Sequence, residues 1–157
     1  GIVNSTPPMT YISVRKSRYS HDLIAESGEF VINLTTEALT FATDYCGVKS
    51  GRDVDKFEVM HLNKEAADQV GAPMIAESPV NIECRVRECM ELGSHHMFLA
   101  DVLAVHVDEA YLDEKGKFDL NAAGLLAYSH GEYFSLGKKL GRFGYSIQKK
   151  KAKKKRK

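Results

Sequence analysis

The sequence predicts a mainly β fold, an antiparallel barrel decorated with short helices, and three observations lead to this class. Residues 80–92 alternate apolar and polar side chains, which is the period of a half-buried strand. Residues 96–108 form a second long apolar strand, and the short turn between the two strands requires antiparallel pairing. The helices between the predicted strands are short, which disfavours a doubly wound α/β sheet.

The remaining elements follow in chain order. Residues 9–14 form an apolar strand, and the helix after it, 19–27, is expected to end at Gly28. A strand at 30–34 precedes a helix at 36–46, with Thr36 as its N-cap and Gly47 at its C-terminal stop. Loops are predicted at 47–55 and 72–79, and the last apolar strand-like run is 125–133.

Length and composition indicate one folded domain over residues 1–148. A chain of 157 residues with 43% hydrophobic content can bury its own core. The three cysteines, Cys46, Cys84 and Cys89, have no framework spacing and favour a reducing compartment. Cys84 and Cys89 are five positions apart on one strand, so we expect them on opposite faces as packing residues. Because the sequence has no signal-peptide pattern and no apolar run long enough for a membrane span, we expect a cytoplasmic protein.

The net charge of +1 conceals a basic C-terminal segment. Residues 149–157, KKKAKKKRK, hold eight of the 22 Lys and Arg residues, so the rest of the chain carries 14 basic and 21 acidic groups, a charge of −7. Like charges repel, and the segment is therefore expected to be a disordered tail. With no aromatic residue between the lysines, it is expected to bind nucleic acid only non-specifically.

The turn between the first predicted strand and helix, residues 13–20, has the sequence SVRKSRYS and indicates an oxyanion site. Three cations, several hydroxyl groups and the free N–H groups of a helix start converge there, which suits a phosphate group. Arginine offers a planar fork to phosphate oxygens, so such a turn can bind phosphate without a glycine-rich loop. A solvated basic turn with Ser20 as an ordinary N-cap is the alternative on this segment alone.

Six ordered blocks resemble the flavin reductase-like family and, within it, the flavoredoxin branch. They are PPMTYISVRKSRYSHDLI, GEFVINL, YCGVKSGRDVDKF, ESPVNIECRV, LGSHHMFLADVLAVHVD and YSHGEYFSLGKKLG. The resemblance extends to Gly144 and implies an antiparallel split β-barrel of the FMN-binding type. It also implies a homodimer with FMN near the subunit interface. A first barrel strand upstream of Gly1 is a further implication, and this sequence does not contain it.

The resemblance also implies site residues. In the turn after the first predicted strand it places Arg15, Ser17 and Ser20 as ligands of the FMN phosphate. Arg18 and Tyr19 lie alongside them. The backbone of Asn4, Ser5 and Thr6 is expected to follow the flavin ring.

Two further segments complete the expected site. Lys56 resembles the family lysine that faces the cofactor, and Ser50 and Gly51 belong to the loop before it. His95 resembles the family histidine near the flavin and is expected to be catalytic. An aromatic residue between 128 and 134 is expected close to the site. Without the resemblance, Lys56 reads as an ordinary exposed lysine and Cys46 as a small buried hydrophobic residue.

The expected function is that of a flavin reductase or flavoredoxin-like electron carrier. Electrons would pass from NAD(P)H or a redox partner protein through bound FMN. The sequence has no GxGxxG motif, so a nicotinamide would have to stack on the flavin in an open cleft. A non-catalytic flavin-binding or storage protein is the alternative, and a basic-tailed nucleic-acid binder is a distant third. No metal site is predicted, because the adjacent His95 and His96 point to opposite faces of a strand.

Overall fold

The computed structural model describes residues 2–147, and the basic segment 149–157 lies outside the described residues. Its main element is a five-stranded antiparallel sheet. The strands are β1 (Ile2–Ser5), β2 (Pro8–Arg15), β3 (Glu29–Asn33), β6 (Val80–Glu91) and β7 (His95–Val107), and their order across the sheet is β1-β2-β7-β6-β3. This confirms the predicted mainly β class and the antiparallel long hairpin.

Two small hairpins and short helices complete the described part of the chain. The hairpins are β4 (Lys64–Glu65) with β5 (Met74–Ile75), and β8 (Leu126–Ser129) with β9 (Glu132–Ser135). The α-helices are α1 (Tyr19–Ser27), α2 (Thr40–Val48) and α3 (Lys56–Val59), and 3-10 turns occur at Glu37–Leu39, Glu109–Tyr111 and Tyr145–Ile147. None of the helices within residues 2–147 has the length and apolarity needed to cross a membrane.

Helix α1 agrees with its prediction, whereas the start and the end of the second helix were predicted wrongly. Gly28 ends α1 in the left-handed conformation, with φ of 69°, and its N–H donates to the carbonyl of Ile24. After Thr36 the chain forms a 3-10 turn, and α2 begins only at Thr40. Gly47 lies inside α2 rather than beyond it, because the backbone continues in helical geometry to Val48.

The hydrophobic core lies on one face of the five-stranded sheet. Phe30, Cys84, Phe98 and Ala100 form its buried centre. Partly buried Ile12 and Val14 of β2 and Ile24 of α1 pack against them, along with Ile32, Ile82, Val86 and Val102. Helix α1 therefore covers the sheet on the side where the turn after β2 enters the helix.

Two irregularities in the long hairpin overturn the simple alternation predicted for β6. The pairing with β7 shifts between Glu83 and Cys84 and again between Val86 and Glu88. Cys84, before the second shift, pairs with Val102, and Cys89, after it, pairs with Phe98, so the two cysteines share one face instead of opposite faces. Cys84 is fully buried as predicted, but Cys89 is exposed and is not a packing residue.

The polar face predicted for β6 is also partly buried. Asn81 is 6% exposed and Glu83 is 0% exposed. The loop 66–71 covers this face, and the backbone N–H groups of Asp68, Gln69 and Val70 donate to the Glu83 carboxylate. A carboxylate can be buried here because the loop supplies donors to both of its oxygens.

Candidate functional site

A cleft of about 440 Å³ lies where β2 turns into α1. Its lining residues come from the end of β2, the start of α1, the end of α2 with the following loop, and the start of α3. They are Ile12, Val14, Ser17, Arg18, Tyr19, Ser20, Ile24, Cys46, Gly47, Lys49, Ser50, Gly51 and Lys56. A larger open space, about 1200 Å³, lies between residues 113–121 and 136–146, but none of the predicted site residues lines it.

The N-terminus of α1 gives one end of the cleft a positive electrostatic character. Arg18 is the N-cap residue, its backbone is extended, and its side chain makes no cap hydrogen bond. The first-turn N–H groups of a helix have no partner within the helix and carry the positive end of its dipole. Ser17 and Ser20 add hydroxyl donors on either side of this helix start. The arrangement suits a phosphate or another compact oxyanion.

Three cations line the cleft: Arg18, Lys49 and Lys56. Lys56 is partly buried, and its Nζ donates to the carbonyl oxygen of Cys46 at 2.6 Å. This bond satisfies a carbonyl near the C-terminal end of α2, where the helix dipole favours a positive charge. The ammonium group is thereby fixed on the wall that α2 and α3 share.

A clamp of three side chains, Tyr19, Asp22 and Arg52, holds the loop wall of the cleft. The Arg52 guanidinium is bonded to the Asp22 carboxylate, and it lies 4.5 Å from the centre of the Tyr19 ring. The hydrogen bond from His21 and, to a smaller extent, Arg52 lower the pKa of Asp22, although partial desolvation opposes them. Arg52 therefore acts on the loop rather than pointing a free charge into the cleft.

The loop approaches Tyr19 so closely that glycine is favoured at position 51. A Cβ atom at Gly51 would lie 3.2 Å from Tyr19 Cδ1. The Ser50 hydroxyl accepts a hydrogen bond from the Arg52 backbone N–H at 3.2 Å, which keeps the loop turned toward the clamp. Ser50 and Gly51 are thus held beside Tyr19 at the start of α1.

The structure brings seven of the predicted site residues into this cleft: Ser17, Arg18, Tyr19, Ser20, Ser50, Gly51 and Lys56. Arg15 and His95 pair with each other across β2 and β7, and strand alternation places both on the face opposite Ile12 and Val14. They do not line the cleft of the same chain.

The other predicted residues also lie elsewhere. Asn4 and Ser5 belong to β1 and Thr6 to the turn after it, at the opposite end of β2 from the cleft. In the 128–134 region, the Tyr133 hydroxyl donates to Asp44 Oδ1 at 3.2 Å and docks the β8–β9 hairpin on α2.

Sequence reasoning missed Lys49 and Arg52. Both are charged residues close to Ser50 in the chain, and this charge was the available signal. The sequence did not show that Lys49 lines the cleft or that Arg52 holds the loop wall through Asp22 and Tyr19.

A second polar cluster, Asp68, Glu83 and His106, lies on the opposite face of the sheet. Its potential ligand atoms lie within 4.8 Å of one another. Both Glu83 oxygens already accept hydrogen bonds, from two donors each: Asp68 N and His106 Nε2 on one, Gln69 N and Val70 N on the other. The cluster therefore anchors the loop 66–71 with its carboxylate fully engaged.

Comparison with known proteins identifies the class to which this fold and cleft belong. The family model described as flavin reductase like domain matches residues 2–137. An uncharacterized protein of Archaeoglobus fulgidus is 34% identical over 130 residues, covering 83% of this chain and 72% of that protein.

Solved structures give the same result. Flavoredoxin of Desulfovibrio vulgaris (Miyazaki F) superposes with a TM-score of 0.86 at 31% identity, over 94% of this chain and 80% of the flavoredoxin. Flavoredoxin from Methanosarcina acetivorans gives a TM-score of 0.85 at 33% identity, over 94% and 81% of the two chains.

The chain belongs to the flavin reductase like domain family. Its fold is the antiparallel split barrel of that family, as the sequence resemblance implied. Family membership supports a flavin-related redox function.

Proposed function

We propose that this chain binds FMN with the phosphate at the start of α1 and passes electrons through the bound flavin. One observation carries the proposal: a helix N-terminus, two hydroxyl side chains and three cations converge on one cleft in a chain of this family. Ser17, Ser20, Arg18 and the first-turn N–H groups would hold the phosphate. Apolar Ile12 and Val14 supply the floor of the cleft.

Bound FMN would supply hydride and single-electron chemistry. The contribution of the protein is binding, orientation and charge. Lys56 would favour the reduced flavin, because a fixed ammonium stabilises the negative charge that reduction adds. NAD(P)H or a redox partner protein would be the electron donor, with the nicotinamide stacking on the flavin in the open cleft.

We further propose that the protein is a homodimer in which His95 and Arg15 serve the partner subunit's flavin. Their position on the sheet face opposite the cleft supports this arrangement. His95 would then be the catalytic residue that positions the donor, and Arg15 would add charge near the phosphate. The backbone of Asn4, Ser5 and Thr6, at the far end of β2, would contact the ring across the same interface.

Titration of FMN and riboflavin tests the phosphate site. Arg18→Ala removes one charge-assisted contact and should weaken FMN binding by about 1.5–3 kcal/mol, roughly ten- to a hundredfold. Riboflavin has no phosphate, so its affinity should change little. Lys16→Ala is the matched control: it removes an exposed cation of the same turn that does not line the cleft, and it should weaken FMN binding less than Arg18→Ala does. Equal losses for FMN and riboflavin would contradict the phosphate assignment.

Anaerobic reduction separates an oxidoreductase from a flavin-storage protein. The holoprotein should lose its yellow colour when NAD(P)H, or a reduced donor protein, is added in the absence of oxygen. Bound flavin that stays oxidised with both classes of donor would favour the non-catalytic alternative.

A further inference from the structure

The C-terminal arm of the described chain, residues 136–147, leaves its large apolar side chains uncovered. Leu140, Phe143 and Ile147 are 92%, 106% and 86% exposed, and Tyr145 is 62% exposed. Apart from the 3-10 turn at its end, the arm contains neither helix nor strand. This much uncovered apolar surface on a short stretch of chain is typical of a contact surface.

A tight turn places Phe143 at the tip of the arm. The Tyr145 N–H donates to the Arg142 carbonyl at 2.9 Å, and Gly144 between them is left-handed, with φ of 79°. The Tyr145 ring lies against Gly141, where a Cβ atom would be only 2.6 Å from Tyr145 Cδ1. These local contacts form the turn, and they leave the Phe143 side chain at its corner fully exposed.

The charge around this turn has a single sign. Residues 136–157 hold 11 of the 22 Lys and Arg residues of the chain and none of its 21 Asp and Glu residues. Residues 1–135 therefore carry 11 basic and 21 acidic groups, a formal charge of −10. The chain from Phe143 to Lys149 can span at most about 20 Å, so the basic segment 149–157 begins close to the turn.

We propose that residues 136–157 form a peripheral anchor that binds the surface of an anionic lipid bilayer. Phe143, with Leu140 and Ile147 beside it, enters the boundary between head groups and acyl chains, and the cations lie at the level of the lipid phosphates. Stable attachment to a membrane surface takes two signals, and this region supplies both an apolar tip and a polybasic segment. The acidic remainder of the chain faces away from the bilayer, because like charges repel.

The composition of the anchor favours lipid over nucleic acid and over pairing with the same segment of a second copy. Nucleic acid is bound through its phosphates and its stacked bases, and aliphatic Leu140 and Ile147 can stack on no base. Two copies of the anchor in contact would bring two sets of like charges together. An anionic bilayer offers negative charge and hydrocarbon on one continuous surface, which matches both features of this segment.

A tryptophan at position 143 tests the anchor, because the chain contains no tryptophan of its own. In the full-length Phe143→Trp variant, vesicles of phosphatidylcholine and phosphatidylglycerol should shift the emission to shorter wavelength, and brominated phosphatidylcholine in the same vesicles should quench it. Vesicles of phosphatidylcholine alone should give a much smaller shift at the same lipid concentration. Phe41→Trp is the matched control: Phe41 is a phenylalanine of α2 that is 76% exposed, and the emission of this variant should not respond.

Sedimentation with the same anionic vesicles measures the two parts of the anchor separately, and it requires no flavin. Phe143→Ser should lower the partition coefficient about tenfold, because one large apolar side chain no longer enters the hydrocarbon boundary. Phe41→Ser should leave it unchanged. Deletion of residues 149–157 should lower it at least about a hundredfold, and added salt should weaken binding of the full chain.

Three results would overturn the proposal. The first is a Phe143→Trp emission that anionic vesicles leave unchanged. The second is a shift produced by duplex DNA and not by vesicles, which would make the segment a nucleic-acid contact. The third is an emission that is already at short wavelength without vesicles and moves to longer wavelength on dilution, which would show that a second copy of the chain covers the turn.

Discussion

At the scale of single residues, the cleft depends on side chains whose own partners fix them before any ligand binds. Lys56 is bonded to the Cys46 carbonyl, and Arg52 is engaged by Asp22 and the Tyr19 ring. Holding a long side chain in one position costs conformational entropy, and here that cost falls on folding rather than on binding. The side chains on these walls of the cleft are therefore fixed in place by folding.

Lys56→Met tests whether the fixed ammonium tunes the proposed flavin. Methionine keeps most of the length and apolar contact of lysine but removes the charge and the bond to Cys46. We expect a lower midpoint potential and weaker binding of reduced FMN, because the negative charge of the reduced ring would lose the stabilisation that a fixed cation provides. Spectroelectrochemical titration measures the potential. Lys49→Met, an exposed cation of the same cleft, is the control and should shift the potential less. Identical potentials in wild type and both variants would refute this role.

At the scale of elements, the loop 66–71 is attached to β6 mainly through one carboxylate. Glu83 Oε1 accepts from Asp68 N at 2.9 Å and lies 2.5 Å from His106 Nε2. Its Oε2 accepts from Gln69 N at 2.6 Å and Val70 N at 3.1 Å. Burial raises the pKa of Glu83, but the hydrogen bonds from the loop and from His106 outweigh it and leave the pKa below its usual value.

Glu83→Gln should destabilise the protein strongly. In glutamine an amide NH₂ group replaces one carboxylate oxygen, and this NH₂ group cannot accept the hydrogen bonds that the oxygen accepted. Buried N–H groups therefore lose their acceptor, which should lower the free energy of unfolding by about 2–4 kcal/mol. Chemical denaturation measures the loss. Glu77→Gln is the control, since that carboxylate also accepts a backbone N–H, from Asn63, but at an exposed site. A change below about 1 kcal/mol, the size ordinary for surface sites, would contradict the anchoring role.

The lowered pKa of Glu83 also predicts a pH dependence. A carboxylate whose pKa is lower in the folded state stabilises the protein above its unfolded-state pKa, and that contribution is lost as the pH falls through the folded-state value. Wild type should therefore lose unfolding free energy below about pH 4.5, the usual glutamate value. The Glu83→Gln variant should lose less over the same range. Parallel curves for the two proteins would show that Glu83 is not the titrating group.

At the scale of the whole molecule, the described part of the chain exposes apolar residues that a second copy could cover. Leu103, Val105 and Val107, at the far end of β7, are 37%, 55% and 37% exposed. Exposed apolar surface of this kind is typical of an interaction surface. The cleft is also open to solvent, and a second subunit would shield a bound flavin.

The proposed homodimer can be tested by light scattering at micromolar concentration. We expect a mass twice the 17.5 kDa of the chain, because burial of apolar surface drives association. Val105→Glu places a charge in the exposed apolar row and should shift the population to monomer. Val59→Glu, an equally drastic change at an exposed position on α3, should remain dimeric. A wild-type protein that is only monomeric would remove the dimer from the proposal. If the Val105→Glu variant remains a dimer, the interface does not include this row of apolar residues.

Much of the fold and part of the cleft were predictable from sequence, because they depend on neighbours in the chain. The alternation of residues 80–92 predicted β6, the short turn after it predicted the antiparallel hairpin, and Gly28 predicted the end of α1. The grouping of Ser17, Arg18 and Ser20 at the cleft was predictable for the same reason, since residues next to a helix start lie together in any fold that keeps the helix. The family resemblance added Ser50, Gly51 and Lys56, which do line the cleft.

Other features were decided only by the tertiary structure, because they depend on register and on distant donors. A one-residue shift in pairing reverses the face of every residue after it, which is why Cys89 faces His96 although its spacing from Cys84 predicted the opposite. Glu83 is buried because a loop fifteen residues earlier in the chain brings its N–H groups to it. His95 and Arg15 lie away from the cleft because strand alternation, fixed by the pairing of β2 with β7, turns them to the other face. Local sequence thus determines which elements form, and the pairing between distant strands determines which side chains meet.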